Sequence, residues 1–92
     1  MIASFADKDT ADLFAGKRVK RFANIAAIAE RKLQQLDSAA KLEALRAPPG
    51  NRLEKLSGDR SGQHSVRIND QWRLCFVWKE DGVHDVEIVD YH

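Results

Sequence analysis

The 92-residue sequence is 43% hydrophobic and 32% charged with a formal net charge of +1, the profile of one ordinary globular domain over residues 1–92. No apolar run approaches the roughly 20 residues of a membrane span, the N-terminus lacks the pattern of a secretory signal, and lone Cys75 can neither close an internal disulfide nor hold a metal alone. What remains is a cytoplasmic protein with no membrane partner, whose near-neutral charge gives no whole-molecule field for a polyanion.

Residues 2–5 read as a short first strand. Asp7 can cap a helix running through Ala11 and Phe14, with Gly16 as its stop. Beyond the basic run from Lys17 to Arg21, Phe22, Ile25, Ala29, Leu33, Leu36 and Ala40 recur at steps of three and four, the apolar stripe of a longer helix. Ser38 is placed to cap a further turn carrying Leu42 and Leu45, and Pro48-Pro49-Gly50 ends helical structure because proline lacks the amide donor. Residues 52–56 allow a strand. The period then changes to two. His64, Val66 and Ile68 share one parity, and Trp72, Leu74, Phe76 and Trp78 alternate with Arg73, Cys75, Val77 and Lys79. Asn69-Asp70-Gln71 and Asp81-Gly82 are turn sequences, the second because glycine tolerates positive φ. A last strand covers about residues 83–91. The prediction is an α+β fold in which an N-terminal short strand and helices pack on a small antiparallel β-sheet, with the Trp72/Phe76 face toward the helices.

Charge is unevenly distributed. Residues 47–73 carry five cations, four of them arginine, against three acids, while residues 74–92 carry one lysine against five acids. The planar fork of arginine suits phosphate, so the middle segment points to a local anion site. Alternation puts Arg67, Arg73 and Tyr91 on the sheet face away from the helices. That face reads either as a concave face holding a phosphate or as a solvated face, where arginines are common; Val77 and Cys75 on it speak for the first. Asp90 and His92 have the other parity, although Asp90-Tyr91-His92 together offer a carboxylate, a phenol and an imidazole for proton chemistry. Two readings stand: a catalytic edge, or a strand end on which Tyr91 packs and its neighbours are solvated. His84, Asp90 and His92 share a parity and are metal-ligand types, but their spacing matches no closed zinc pattern. The glycine-rich stretch from Ser57 to Gly62 most economically makes a turn, and the cluster from Lys17 to Arg21 is either a surface for nucleic acid or an acidic partner or, more commonly, a solvated connection.

The elements Gly58-Asp59-Arg60, Val66-Arg67-Ile68-Asn69-Asp70-Gln71-Trp72-Arg73 and Val86-Glu87-Ile88-Val89-Asp90-Tyr91-His92, in this order, closely resemble the HigB-type toxins of bacterial toxin–antitoxin pairs, most of all the GraT subgroup. The opening Ile2-x-Ser4-Phe5 and the segment from Arg46 to Leu53 agree with it. The resemblance implies a RelE/ParE-type fold and a ribosome-dependent endoribonuclease that cuts mRNA without a metal or other cofactor. It also implies a helix-turn-helix antitoxin of HigA/GraA type as partner, with operator DNA met only through that antitoxin. Such toxins are held to activate a ribose 2′-hydroxyl for attack on the adjacent phosphate. On that basis His92 is the candidate for proton transfer and Asp90 orients it or serves as base. Tyr91 stacks on a base or positions the phosphate, and Arg73 stabilises the transition state. Arg67, Arg60, Lys55 and Arg52 are the candidates for holding RNA phosphates. HigB toxins carry histidine where this chain has Glu54 and lysine where it has Ser57. Glu54 can replace the lost base, Lys55 points the other way in a regular strand, and cleavage weaker than in His/Lys-bearing members is expected. The alternative is a ParE-like inhibitor that binds a protein target such as gyrase without catalysis.

Overall fold

The computed structural model describes residues 1–91. Helix α1 (Lys8–Phe14) begins where Asp7 accepts a hydrogen bond from Thr10 N at 3.2 Å, and the chain turns away at Gly16, whose φ of +88° is open to glycine without strain. Helix α2 (Ala26–Ser38) buries Ala29, Leu33 and Leu36. The apolar stripe extends beyond the helix at its front: Phe22 and Ile25 are buried but lie in the short 3₁₀ turn Lys20–Phe22 and the bend after it. At its back the stripe stops early, because the chain becomes extended at Ala39 and leaves Ala40 exposed. Ser38 does not cap the next turn. It is the last residue of α2, its Oγ donates to Gln35 O at 3.3 Å, and the turn Leu42–Arg46 starts from Lys41.

Strands β1 (Glu54–Lys55), β2 (His64–Arg67), β3 (Trp72–Lys79) and β4 (Gly82–Asp90) form an antiparallel sheet in chain order. β1 is shorter than the sequence allows, since Arg52 adopts a left-handed φ of 45° that no strand accommodates. Lys79 pairs with Gly82, so the β3–β4 turn residues are Glu80 and Asp81, one position earlier than expected. Gly82 (φ +141°) opens β4 instead, and a Cβ there would lie 3.0 Å from Met1 O and 3.1 Å from Ala3 Cβ. The glycine is what admits the N-terminal segment.

That segment runs parallel to β4 through two bridges, Ile2 with Val83 and Phe5 with Val86, rather than as a continuous strand. The interruption has a cause on β4. Asp85 has φ 52°, its amide donates to Ser4 Oγ at 2.9 Å, and the β3–β4 register slips between Cys75 and Val77. A bulge changes parity for every residue beyond it. Val83, Val86 and Ile88 therefore all face the core, and His84, opposite Val77, shares the outer face with Glu87 and Val89. The expectation that His84 and Asp90 share a face fails for this reason.

Between the helices and the sheet, Phe22, Leu33, Leu36, Leu74, Phe76 and Val86 are fully buried, each such side chain contributing about 1.5–3 kcal/mol. The Phe22 ring meets Trp72 edge-on at 5.5 Å. Thr10 Oγ1 accepts from Ile88 N at 3.1 Å and so fastens α1 to β4. Among the described residues no helix is long and apolar enough to cross a membrane.

Candidate active site

The outer face of the sheet is not a solvated exterior. Cross-strand rows place Glu54, Ser65, Cys75 and Glu87 side by side, and next to them Arg67, Arg73 and Val89. Ser65 and Cys75 are fully buried and Arg73 is only 8% exposed. Arg60 provides part of the cover: its Nη1 donates to Gln63 Oε1 at 3.1 Å and to Glu87 Oε1 at 3.2 Å. Burial pushes the Cys75 thiol above its ordinary pKa, so it is an inert packing group at neutral pH.

At one end of this face lies a cavity of about 270 Å³ lined by Arg52, Glu54, Arg67, Asn69, Asp70, Arg73 and Tyr91. Arg73 is the most firmly held of its cations. Nε donates to Ser65 Oγ at 2.8 Å, and Nη2 donates to Arg52 O at 2.8 Å and Ser65 O at 3.4 Å. Glu54 Oε2 stands 3.9 Å from Nη2, and the Tyr91 ring lies 5.8 Å from Cζ. Arg67 is paired with Asp70 through Nη2. Three guanidinium groups thus meet two carboxylates, one of which is already engaged by Arg67.

Two turns set these positions. Asn69 Oδ1 accepts from Gln71 N at 2.9 Å and Trp72 N at 2.8 Å, closing the β2–β3 connection. Tyr91 N donates to Gln71 O at 2.6 Å, which brings the end of β4 onto the same turn. On the other side, Asn51 is completely buried. Its Nδ2 donates to Leu45 O at 3.0 Å, Ala47 O at 3.1 Å and Gln35 Oε1 at 3.1 Å, and its Oδ1 accepts from Lys32 Nζ. Asn51 therefore ties α2 to the loop just before Arg52, whose carbonyl turns to Arg73.

The structure brings together Arg52, Glu54, Arg67, Arg73 and Tyr91, as alternation and the resemblance suggested. Lys55 is on the other side of β1, where it lines a separate cavity with Arg46, Leu53 and His64. Arg60 belongs to the cover over Cys75 and not to the cavity wall. Asp90 pairs with Trp72 and accepts from Gln71 Nε2 at 3.1 Å; it does not line the cavity. His92 lies outside the described residues. His84 is bonded through Nε2 to Asp81 at 2.8 Å, which lowers the Asp81 pKa. Among the described residues no cluster of three histidine, cysteine or acidic side chains is placed to hold a metal. The basic run is partly neutralised, with Arg21 on Asp7 and Asp9 and Lys17 on Asp12. Sequence reasoning missed Asp70, Ser65 and Asn51. Asp70 had a usable signal, three positions after Arg67 across a tight turn; the other two had none.

Comparison with known proteins gives this cavity its context. The model of the HigB-like toxins, described as the RelE-like toxin of the type II toxin–antitoxin system HigB, matches residues 3–92. The chain belongs to this family. Toxin HigB-1 of Vibrio cholerae serotype O1 is 48% identical over 62 residues, 67% of this chain and 64% of that protein. An uncharacterized protein of Haemophilus influenzae is 30% identical over 63 residues, 68% of this chain and 62% of that one. The matches thus span a little under two thirds of these relatives. Among solved structures, a YoeB-YefM complex from Staphylococcus aureus aligns over 100% of this chain and 98% of its own with a TM-score of 0.61 at 17% identity. A heterotetrameric YoeB-YefM toxin–antitoxin complex from the same organism gives 0.62 at 18% identity with the same coverage. At that identity the likeness concerns the fold, which is that of the RelE-like toxins.

Proposed function

We propose that this HigB-like toxin is a ribosome-dependent endoribonuclease that acts on mRNA in the cytoplasm and is neutralised by a helix-turn-helix antitoxin of HigA type, through which alone it meets operator DNA. The observation that carries the proposal is Arg73, a nearly buried guanidinium held at the cavity wall with a carboxylate and a phenol ring beside it. Cleavage by the metal-independent route of the resemblance needs three things: a base for the ribose 2′ proton, an acid for the leaving 5′ oxygen, and positive charge for the phosphorane. In this scheme O2′ bonds to phosphorus as the P–O5′ bond breaks, leaving a 2′,3′-cyclic phosphate and a 5′-hydroxyl. Glu54 takes the 2′ proton, His92 delivers one to the 5′ oxygen, and Arg73 stabilises the charge between them. Asp90 acts from outside the cavity by orienting the terminal segment. Tyr91 offers its ring to a base, and Arg67 and Arg52 hold flanking phosphates.

Mapping mRNA 5′ ends on translating ribosomes after induction tests this. New ends with 5′-hydroxyl chemistry are expected, with Arg73→Ala lowering cleavage by about 10²–10³. An Arg73→Ala protein that melts like wild type and remains fully toxic would refute the assignment. DNA-damage signalling without mRNA cuts would favour the ParE-like alternative.

A further inference from the structure

Arg73 is held by acceptors that no substrate supplies, and this bears on how it works. Five N–H donors are available on a guanidinium. Nε is taken by Ser65 Oγ, and Nη2 by Arg52 O and Ser65 O. Among the described residues no hydrogen bond engages Nη1, the nitrogen left for a ligand in the cavity that Arg73 lines. Ser65 is completely buried on the central part of the sheet, and its hydroxyl accepts from Nε, the arginine nitrogen that carries a single N–H. The Arg52 carbonyl reaches Nη2 only because Arg52 is left-handed (φ 45°, ψ 59°), immediately after the buried Asn51.

We infer that Ser65, together with the Arg52 carbonyl fixed by Asn51, is a positioning residue that locks the Arg73 guanidinium so that Nη1 alone is presented to the scissile phosphate. This rests on the endoribonuclease reading and adds to it how the arginine binds. Because Nε is engaged once and Nη2 twice, neither the Nε–Nη2 edge nor the Nη1–Nη2 edge is free for the bidentate grip on phosphate open to a free arginine. Arg73 contributes one fixed donor nitrogen and a charge, already desolvated, with no reorientation needed in the transition state. Arg67 differs: its partner Asp70 is fully exposed, so that pair is open to exchange with a phosphate.

The test is a double-mutant cycle on single-turnover cleavage of ribosome-bound mRNA, using Ser65→Ala, Arg73→Ala and the double variant, with melting temperatures for all. Ser65→Ala is expected to slow the chemical step about tenfold or more, as loss of a hydrogen bond to a charged group does. The KM should change little. In the Arg73→Ala background the same substitution should change the rate less than about twofold, because its effect passes through the arginine. Equal slowing in both backgrounds would mark Ser65 as merely structural and overturn the inference. Absence of ribosome-dependent mRNA cleavage by the wild-type protein would instead refute the endoribonuclease assignment, so the two failures are separable. An independent readout needs no activity. In wild-type protein the Arg73 Nε–H should give a 15N-correlated resonance protected from exchange with water, and rapid exchange of that proton would also overturn the inference.

Discussion

Replacing Asn51 by alanine should destabilise the protein far more than its place in a loop implies. The side chain is completely buried and satisfies two backbone carbonyls, of Leu45 and Ala47, as well as Gln35 and Lys32. Ala47 O would keep the Gln35 Nε2 bond at 2.6 Å, whereas the Leu45 carbonyl would lose its asparagine donor. A buried carbonyl deprived of a partner costs about 1–3 kcal/mol, and the weakened Lys32 and Gln35 contacts add about 1 kcal/mol. The sum of about 2–4 kcal/mol corresponds to a fall in Tm of about 10–25 °C for a domain of this size. Lys32→Met leaves both carbonyls their asparagine donor and orphans only Oδ1, so it should cost less than Asn51→Ala. Circular-dichroism melts of the three proteins decide the matter. A melting point for Asn51→Ala within about 3 °C of wild type, or equal losses for the two variants, would show that the carbonyls do not depend on this residue.

Gly82→Ala should lower stability by about 1–3 kcal/mol, measured by urea denaturation, because φ is +141° and the new methyl would press on Met1 O and Ala3 Cβ. His64 has its pKa lowered from 6.5 by burial and then by the charge of Lys55. Between the folded value and 6.5 the unfolded chain binds more protons, so stability should fall as pH drops through that window and level off below it. His64→Phe should flatten this slope in urea midpoints taken at successive pH values, and Lys55→Met should raise the imidazole pKa followed by NMR. The paired change Glu54→His/Ser57→Lys should raise ribosome-dependent cleavage by at least about tenfold, since it restores a base beside Arg73 and a cation; an unchanged rate would mean that Glu54 already serves fully.

Alternation carried most of the sheet in the sequence because its signal is local. Trp72, Leu74 and Phe76 face the core and Arg73 faces out whatever the rest of the chain does. The same local rule placed Arg67, Arg73 and Tyr91 together, and the cavity contains all three. It failed at Asp85, where the hydrogen bond its backbone N–H donates to Ser4 Oγ, 81 positions away, accompanies a residue shifted out of step, which reverses the face of His84. Nothing within several residues of Asp85 announces a partner 81 positions away. Asn51 was illegible for a related reason. Its worth lies in carbonyls that only tertiary structure turns toward it, and in a proline-rich loop asparagine reads as a turn former. The burial of Arg73 was hidden too, because parity assigns a face but not what covers it.

The bridges between the N-terminal segment and β4 also set the order of events during synthesis. Ile2 and Phe5 leave the ribosome long before their partners Val83 and Val86 have been made. Closing a loop of that length must precede any gain from the contacts it brings. The cavity obeys the same schedule, since its wall includes Tyr91. A growing chain of this kind holds Arg73 without the finished cavity around it, so the enzyme proposed to act on ribosomes is assembled only after Tyr91, 18 residues downstream of Arg73, has been made.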